Sequence, residues 1–589
     1  MSTPSPLFSS RPILRLLRPL LVLAGCAVAG STGPPEASAQ QPPAYDLLLV
    51  GGHVMDGTGN PWFEADVAVS GDRVVAIGEL DGSRAKRVVD VRGKLIIPGF
   101  IDIHTHADEP RSDEGIRSPD PRRRFAPNMI AQGVTTVVAN HDGRSPLPIA
   151  EQQAKVEELG TGPNTILLVG HGAVRSEVLG RDYQRPSTPE EVAEMQALVR
   201  RAMEEGAWGL SAGLEYTPGR YSTTDEVAAL TREIVPWGGV YISHQRSEGA
   251  DPMWYWPSRD DPGPPTLLDA VMETIEIGER TGAVVVCTHI KAKGAHYWGS
   301  SAAAIRLIQA ARDRGVNVYA DMYSYDTSGS DGSTVLIPSW PFQSMRRGRA
   351  EGEPRRSYAS VLEEVLADPG LAADLRTDIT HEIRRRGGAD RVMVMDYPDP
   401  AYVGKTLGEL AALRDVEPVE MALILQEEGY RDRRGGVRMR GFSMSEIDLE
   451  AYAKQPWTAT ASDAGIALPG DGSVHARFYG NFARKVRYFA LEKGWITLEQ
   501  AVRSGTSLPA QILGLKDRGV LREGAYADLA IIDPATYGDR ATFFEPHQYA
   551  EGVELVLVNG RFVVEDGELT WELAGRMLSP GEDGRAAHR

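Results

Sequence analysis

The stretch Pro98–Asp108, PGFIDIHTHAD, joins an apolar run to two histidines that stand one residue apart. In a β-strand, alternate side chains point to the same face, so the pattern predicts that His104 and His106 lie side by side where a strand ends. Two neutral imidazoles in this arrangement form half of a metal site. The pair alone is a weak signal, and the hypothesis depends on ligands from elsewhere in the chain.

Strand-like and helix-like segments alternate through the long middle of the chain. Apolar runs that end in polar residues recur, as in GVTTVVAN, NTILLVGH, GGVYISH, GAVVVCTH and WTATASD, and helical patterns such as Glu190–Glu205 and Thr266–Thr281 separate them. Repeated βα units of this number predict a (β/α)8 barrel over residues 98–505. An Arg- and Glu-rich stretch near 343–386 is predicted to be an insertion at the barrel rim.

Short β-like runs broken by Gly and Asp occur near both ends of the chain, within residues 45–97 and 506–580. The C-terminal set includes ELVLVNGRFVVEDGE, in which Asn559-Gly560 marks a hairpin turn. Because the two sets flank the predicted barrel, we expect them to form one small composite β-sandwich domain. The predicted fold class is therefore α/β, with a barrel, a β-sandwich and a short tail at 581–589.

Residues 1–44 are predicted to be a signal peptide and linker. Three arginines precede an apolar stretch, Pro19–Gly30, which is too short to span a bilayer as a mature helix. The sequence LAGC, ending at Cys26, resembles a bacterial lipobox, whose cysteine is lipidated. The sequence ASA, ending at Ala39, fits an ordinary signal-peptidase site. We therefore expect an exported protein, either periplasmic or attached to the cell envelope through a lipid on Cys26.

The composition is typical of a soluble globular protein, with 42% hydrophobic and 24% charged residues. A net charge of −18 argues against nucleic acid as a partner. The only two cysteines are Cys26 and Cys287. Since the first belongs to the export signal, we expect no internal disulfide.

Further candidate ligands stand at the predicted strand ends of the barrel, where the chemistry of such folds takes place. His244 and His289 add two nitrogens to those of His104 and His106, and Asp463 adds a carboxylate. Imidazole and carboxylate ligands suit zinc, and catalysis leaves a position open for water or substrate. The sequence therefore predicts one or two Zn²⁺ ions per chain.

The sequences of these segments and their order along the chain resemble those of the amidohydrolase superfamily, and more closely those of its N-acyl-D-amino-acid deacylase (D-aminoacylase) branch. The resemblance extends over most of the chain and is carried by GGHVMDGTGNP, PGFIDIHTHAD, QGVTTVV, GAWGLSAGLEYTPG, YISHQRSEG, THIKAKG, ADMYSYDTSGS, ASDAG and HARFYGNFARKV. It implies a (β/α)8 barrel with a small β-sandwich, in which zinc activates water to hydrolyse an acyl amide.

The resemblance also implies a role for each candidate ligand. His104 and His106 correspond to ligands on the first strand, and His244 and His289 to those on the fifth and sixth strands. Asp463 corresponds to the aspartate of the eighth strand, which acts as general base toward the water and then as acid toward the leaving amine. Asp463 is thus both the predicted catalytic residue and a predicted metal ligand.

A group that binds the substrate carboxylate is implied in the same way. Lys291 resembles a family lysine near that carboxylate, and Tyr323 and Arg477 occupy positions that hold it. An arginine is suited to a two-pronged grip on a carboxylate. Ser328 or Ser330 is expected to add a hydroxyl. The implied partner is a small N-acyl amino acid or a related amide.

The turn ANHDG, residues 139–143, departs from the family pattern, because deacylases of this branch typically place a cysteine ligand there. Three replacements remain open. In the first, Glu215 on the fourth strand is the bridging metal ligand. In the second, His141 or Asp142 takes the place of the cysteine within the turn. In the third, the protein holds a single metal ion with fewer ligands. Glu215 is our predicted ligand, since it shares its strand face with Ser211 and is able to point inward.

The leading prediction is a metal-dependent hydrolase of linear amide C–N bonds that deacylates N-acyl-D-amino acids. The D preference comes from the resemblance alone. Within the superfamily, the alternatives are a cyclic-amide hydrolase and a dipeptidase of isoaspartyl type. An alternative from another class is a catalytically silent binding lipoprotein that keeps the barrel as a scaffold.

Overall fold

The computed structural model describes residues 44–108, 115–329, 333–346 and 356–584. The predicted export signal, with Cys26 and Ala39, lies outside these described residues, and so does Ser330. In the part of the chain that the structure describes, no helix combines the length and the apolar character needed to cross a membrane.

In chain order, the strands of the described residues are β1 (Tyr45–Val54), β2 (Phe63–Ser70), β3 (Arg73–Gly78), β4 (Ala85–Asp90), β5 (Leu95–Pro98), β6 (Phe100–Asp102), β7 (Thr105–His106), β8 (Val134–Ala139), β9 (Asn164–Leu167), β10 (Val169–Gly170), β11 (Gly209–Gly213), β12 (Val240–His244), β13 (Val284–Cys287), β14 (Val318–Met322), β15 (Val392–Asp396), β16 (Arg438–Gly441), β17 (Thr458–Thr460), β18 (Ala464–Gly465), β19 (Leu529–Ile532), β20 (Val553–Val558), β21 (Arg561–Glu565) and β22 (Glu568–Leu569).

The α-helices are α1 (Pro121–Phe125), α2 (Pro127–Ile130), α3 (Ile149–Leu159), α4 (His171–Leu179), α5 (Pro189–Glu204), α6 (Thr224–Ile234), α7 (Leu267–Thr281), α8 (Ser301–Asp313), α9 (Tyr358–Ala367), α10 (Pro369–Arg385), α11 (Leu407–Arg414), α12 (Pro418–Glu428), α13 (Glu446–Ala453), α14 (Arg477–Arg484), α15 (Leu498–Gly505), α16 (Ser507–Leu513) and α17 (Pro580–Asp583). Capping boxes at Thr188 and Thr266 begin α5 and α7, because each hydroxyl accepts from a backbone N–H that lacks a partner inside its helix.

Parallel strands from the middle of the chain form the part of the fold that carries the site. One sheet has the order β10-β11-β12-β13-β14-β17, β6 pairs with β8 and β8 with β9, and β18 pairs with β7. All of these pairs are parallel, and helices such as α6, α7 and α8 lie between successive strands in the chain. The strands are almost entirely buried, as expected for a parallel sheet covered by helices. The fold is therefore α/β.

Strands from both ends of the described chain share a second sheet. It has nine strands in the order β22-β21-β20-β19-β5-β1-β2-β3, with β4 paired to β1. The two ends meet where β5 pairs with β19 in antiparallel register, Leu95 opposite Ile532. A separate buried cluster, which includes Leu47, Val67 and Leu557, packs on this sheet.

The chain between β14 and β17 leaves the parallel sheet and builds a core of its own. Buried side chains from Leu336 to Met439 form this cluster, and they come from α9 to α12 and from the antiparallel pair of β15 and β16. We call the segment 333–441 the insertion. The predicted rim stretch at 343–386 falls within this range, and residues after Arg386, such as Val392 and Val394, pack on the same apolar core.

Lys485 begins a π-helical segment, Lys485–Glu492, and is 2% exposed. Its ammonium has no hydrogen-bond partner among the described residues and lies 4.9 Å from the ring centre of Phe489. Burial lowers the pKa of Lys485 from 10.5 to about 7. Between pH 7 and pH 10.5 the unfolded chain therefore binds more protons at this lysine than the native protein does. Lys485 lowers the free energy of unfolding below about pH 7, and this destabilisation disappears as the pH rises toward 10.5.

We expect Lys485→Met to raise the free energy of unfolding at about pH 6, by on the order of 4 kcal/mol, and to lose this advantage by about pH 10. Chemical unfolding of the variant and the wild type at both pH values measures the effect. Lys454→Met, which removes an exposed lysine paired with Glu450, is the matched control and should change stability little at either pH. An equal gain for Lys485→Met at both pH values would contradict the argument.

Candidate active site

Five buried side chains predicted as ligands converge at the C-terminal ends of the parallel strands. His104 and His106 lie at β7, His244 ends β12, and His289 and Asp463 follow β13 and β17. Each of them belongs to at least one set of three groups whose ligand atoms lie within 4.8 Å of one another. The structure therefore brings the predicted ligands together from separate strands.

Asp142, in the turn after β8, lies at the centre of this cluster. Its Oδ1 is 3.5 Å from Nδ1 of His244 and 3.7 Å from Nε2 of His104. The same oxygen is 3.8 Å from Nε2 of His289, and Oδ2 is 3.6 Å from Nε2 of His106. Oδ1 of Asp142 and Nε2 of His104 are buried without a hydrogen-bond partner among the described residues. Since buried polar atoms normally have partners, the residues fit a metal ion between them.

The outer nitrogen of His104 is held by a chain of two hydrogen bonds. Nδ1 of His104 lies 2.6 Å from Oγ1 of Thr288, which donates to Asp321 at 2.6 Å. Because the only hydroxyl proton goes to Asp321, Nδ1 of His104 must donate to the hydroxyl oxygen. The lone pair then remains on Nε2, the nitrogen that faces the cluster, which is the tautomer a metal ligand requires.

Carboxylates contact the outer nitrogens of two more histidines. Nε2 of His244 lies 3.2 Å from Oε2 of Glu215, and Nδ1 of His289 lies 3.1 Å from Oε1 of Glu248. The same Glu248 oxygen accepts from Lys291, whose Nζ also lies 2.9 Å from Nδ1 of His289. A carboxylate in this position fixes the orientation of the ring. The structure thus places Glu215, our predicted fourth-strand ligand, on the side of His244 that faces away from Asp142.

Asp463 is buried, and its surroundings favour the ionised form. Its Oδ2 lies 2.9 Å from Nη1 of Arg477, and its Oδ1 lies 3.0 Å from Nε2 of His106. Burial alone would raise the pKa of Asp463, but the Arg477 guanidinium and the histidines hold that pKa well below its usual value. An unprotonated carboxylate at this place is able to accept a proton.

Four residues of the site have a left-handed backbone conformation, which residues other than glycine rarely adopt. The φ angles are 65° at Asn140, 58° at Asp142, 34° at His289 and 51° at Asp463. Such conformations cost energy and persist where the surroundings enforce them, which is common at functional sites. Here they turn the chain sharply after β8, β13 and β17.

A cavity of 250 Å³ opens beside the cluster. It is lined by the residues predicted to bind the substrate carboxylate, Lys291, Tyr323, Ser328 and Arg477. Nζ of Lys291 lies 5.4 Å, and Cζ of Arg477 4.6 Å, from the ring centre of Tyr323. Burial lowers the pKa of Lys291, but the Glu248 carboxylate raises it overall, so the amine is cationic. Two cations beside a phenol suit a carboxylate ligand.

A second cavity of 380 Å³ adjoins the first, and its lining includes Pro146, Ala173 and Pro218. The two cavities share wall residues, among them His106 and Asp142. A substrate whose reacting bond lies at the cluster therefore has space on both sides of it.

The sequence reasoning missed several contacts of the site. Thr288, Asp321 and Glu248 contact the histidines of the cluster, and nothing in their sequence positions predicts these contacts. His141 was an open alternative as a ligand, but its ring stacks on His104 at 3.9 Å and belongs to none of the ligand sets in the described residues. The detectable signal was the carboxylate in the turn NHDG, directly after a buried strand.

Comparison with known proteins identifies the family. The model of the Amidohydrolase family matches residues 87–241 and 364–564. The D-aminoacylase of Alcaligenes xylosoxydans xylosoxydans is 33% identical over 558 residues, which cover 91% of this chain and 98% of that protein. The chain belongs to the amidohydrolase family, and the resemblance drawn from its motifs is confirmed.

Two solved structures extend this relationship to the fold. A D-aminoacylase studied for its binuclear metal centre has a TM-score of 0.67 at 31% identity, covering 91% of this chain and 100% of that chain. The N-acyl-D-glutamate deacylase of Bordetella bronchiseptica, solved with zinc and a phosphonate mimic of the tetrahedral intermediate, has a TM-score of 0.67 at 29% identity, covering 91% and 99%. The α/β fold of this chain is that of its amidohydrolase relatives.

Proposed function

We propose that this chain is a zinc-dependent hydrolase that removes the acyl group from N-acyl-D-amino acids. The observation that carries the proposal is the buried cluster of four histidines and two aspartates beside a cavity lined by Lys291, Tyr323 and Arg477. The similarity to D-aminoacylase and N-acyl-D-glutamate deacylase supports the substrate class and the D configuration.

The metal would be held by the inward nitrogens of His104, His106, His244 and His289 together with Asp463. Zinc, when bound, supplies a Lewis acid for the acyl carbonyl and lowers the pKa of water. The outer contacts of His104 and His244 keep a lone pair of each ring directed at the cluster, so these two ligands are arranged before the ion arrives.

Asp463 is the proposed general base and acid. As a buried carboxylate of low pKa, it takes a proton from the attacking water and then delivers that proton to the leaving nitrogen when the C–N bond breaks. The ion pair with Arg477 holds Oδ2, which leaves Oδ1 on the side of His106 and the cluster. Proton transfer through Oδ1 therefore needs no rotation of the side chain.

The substrate carboxylate is proposed to bind Lys291, Tyr323 and Arg477, with Ser328 adding a hydroxyl. All four line the same cavity next to Asp463. Anchoring the carboxylate there would set the distance between the scissile amide and the cluster, so a substrate without a carboxylate is expected to react poorly. The acyl group would then extend toward the second cavity.

We also propose the finer architecture and the location of the protein. The parallel strands β6, β8 to β14 and β17 would close into a (β/α)8 barrel, since the ligands all stand at strand C-terminal ends, as barrel enzymes require. The nine-stranded sheet would be the composite β-sandwich domain. The features around Cys26 and Ala39 support export to the periplasm or lipid attachment to the cell envelope.

A substrate panel tests the proposed function. We expect the zinc-loaded protein to release free amino acids from N-acetyl-D-amino acids, and to hydrolyse the L enantiomers, hydantoins and isoaspartyl dipeptides at least about 100-fold more slowly, a difference in kcat/KM of about 2.7 kcal/mol. Preferential turnover of a hydantoin or an isoaspartyl dipeptide would replace the proposal by that activity. No turnover by metal-loaded protein would support a binding scaffold instead.

A further inference from the structure

We propose that Asp142 is the ligand shared by two metal positions, so that the centre of this chain binds its ions through nitrogen and oxygen alone. The inference rests on the proposed function in requiring a bound metal, and it adds the residue that joins the two positions. It names the residue that replaces the cysteine ligand missing from the turn ANHDG, choosing Asp142 over Glu215 and His141.

The distances place Asp142 between two pairs of histidines. It forms one close set with His104 and His106, and another with His244 and His289, and these two sets have no histidine in common. Its oxygens lie 3.5–3.8 Å from the four nitrogens, beyond the range of a normal hydrogen bond. Two ligands about 2.0–2.1 Å from one tetrahedral ion are roughly 3.3 Å apart, so this spacing suits a shared ion better than direct contact.

The turn that carries Asp142 is fixed by hydrogen bonds on both sides. The backbone N–H of Asn140 donates to Asp108 at 3.1 Å, and its side chain donates to Leu168 at 2.9 Å. The backbone N–H of Gly143 donates to Ser211, whose hydroxyl in turn donates to Asn140 at 2.6 Å. These bonds fix the backbone on both sides of Asp142, which has a φ of 58°. Its carboxylate is therefore held toward the cluster.

A close approach of two strands confines the same turn. A Cβ built on Gly143, which has a φ of 73°, would lie 2.9 Å from the backbone nitrogen of Gly213 in β11. Only a glycine permits this contact, and it brings the turn after β8 against the end of β11. The position of Asp142 is therefore set by the packing of two strands rather than by its own side chain.

The two other candidates, Glu215 and His141, lack this relation to both pairs of histidines, and His141 belongs to no ligand set among the described residues. Among the four histidines, Glu215 contacts Nε2 of His244 alone, and the ligand set that contains it adds Glu248 rather than a second histidine. Its second oxygen accepts from the backbone N–H of Met253 at 2.5 Å. One imidazole nitrogen binds one ion, and Nδ1 of His244 is the nitrogen on the side of Asp142 and His289. Glu215 is therefore a positioning residue for His244.

A centre without sulfur ligands has a chemical consequence. Carboxylate and imidazole ligands accept Mn²⁺ and Co²⁺ as well as Zn²⁺, whereas a thiolate selects for zinc. Cys287 is fully buried and belongs to none of the ligand sets in the part of the chain that the structure describes. We therefore expect thiol-directed reagents to leave the metal content of the protein unchanged.

Cobalt loading of the full chain tests the assignment. Wild type, Asp142→Asn, Asp142→Cys and Glu215→Gln are loaded with Co²⁺ and desalted, and their metal content and absorption spectra are measured. We expect about two Co²⁺ per chain in the wild type and in Asp142→Cys, and about one in Asp142→Asn. Only Asp142→Cys should show a new thiolate-to-cobalt charge-transfer band, with the wild type as the control for Cys26 and Cys287.

The outcomes separate this inference from the proposed function. Glu215→Gln should keep the wild-type spectrum and lose at most about 10–100-fold in metal affinity. A folded Asp142→Cys that binds cobalt without the new band, or an Asp142→Asn that keeps two ions at wild-type affinity, would overturn the assignment of Asp142. A wild type that binds two ions but hydrolyses nothing in the substrate panel would overturn only the function. A wild type that binds no metal would overturn both.

Discussion

Asp463→Asn is expected to reduce kcat for deacylation by about 10²–10⁴-fold, the range that a positioned general acid–base contributes. The amide keeps the size of the side chain, and asparagine tolerates the left-handed φ of 51° at this position. It cannot take the proton of the attacking water, and it leaves the buried Arg477 without its carboxylate. Steady-state kinetics at saturating zinc, with metal content measured on the same samples, gives the result.

Asp471→Asn is the matched control for this variant. Asp471 lies eight positions later and pairs with Arg123, away from the cavities that adjoin the cluster. Its loss should leave kcat unchanged. A folded, metal-loaded Asp463→Asn that retains more than about a tenth of wild-type kcat would remove Asp463 from the proton transfer.

Removal of the metal is expected to abolish turnover and to destabilise the native protein. An ion that binds only the folded state stabilises it by about 2.7 kcal/mol when its free concentration is 100 times Kd. Without the ion, the buried carboxylates of Asp142 and Asp463 both remain 3.7 Å from Nε2 of His104, with no metal cation to offset their charges. Dialysis against a chelator followed by thermal unfolding and activity assays measures both effects.

Readdition of Zn²⁺ should restore both activity and the thermal midpoint, whereas Ca²⁺ should restore neither, because calcium prefers six to eight oxygen ligands. The control is Lys454→Met, which alters an exposed pair and should respond to chelation as the wild type does. Full activity in protein shown by elemental analysis to contain no metal would contradict the proposed chemistry.

The ligand-bearing strands could be predicted from the sequence because their signals are local. His104 and His106 stand directly after an apolar run, and His244, His289 and Asp463 end similar runs. Because catalytic residues of barrel enzymes lie at the C-terminal ends of the strands, residues that are distant in the sequence can be predicted to lie close together before any contact is known. The same reasoning predicted Lys291, Tyr323 and Arg477 only with the help of the resemblance.

The relation of Glu215 and Asp142 to the histidines could not be predicted in this way. Which ring nitrogen of His244 meets Glu215 depends on the rotamers of both side chains and on a backbone N–H at Met253. The bond from Thr288 to Asp321 likewise needs two neighbouring strands in a particular register. Such contacts arise from tertiary packing, and strand periodicity carries no information about them.

The insertion has a consequence for how proteins of this kind can diverge. It has its own apolar core, and it reaches the wall of the substrate cavity through Arg386. The histidines and aspartates of the cluster all stand outside it, on strands that precede and follow it. Mutation, lengthening or exchange of residues 333–441 can thus change which substrates are admitted while the hydrolytic centre is inherited intact. Only the part of selectivity that depends on this wall is separable in this way, because Arg477 lines the same cavity and also pairs with Asp463.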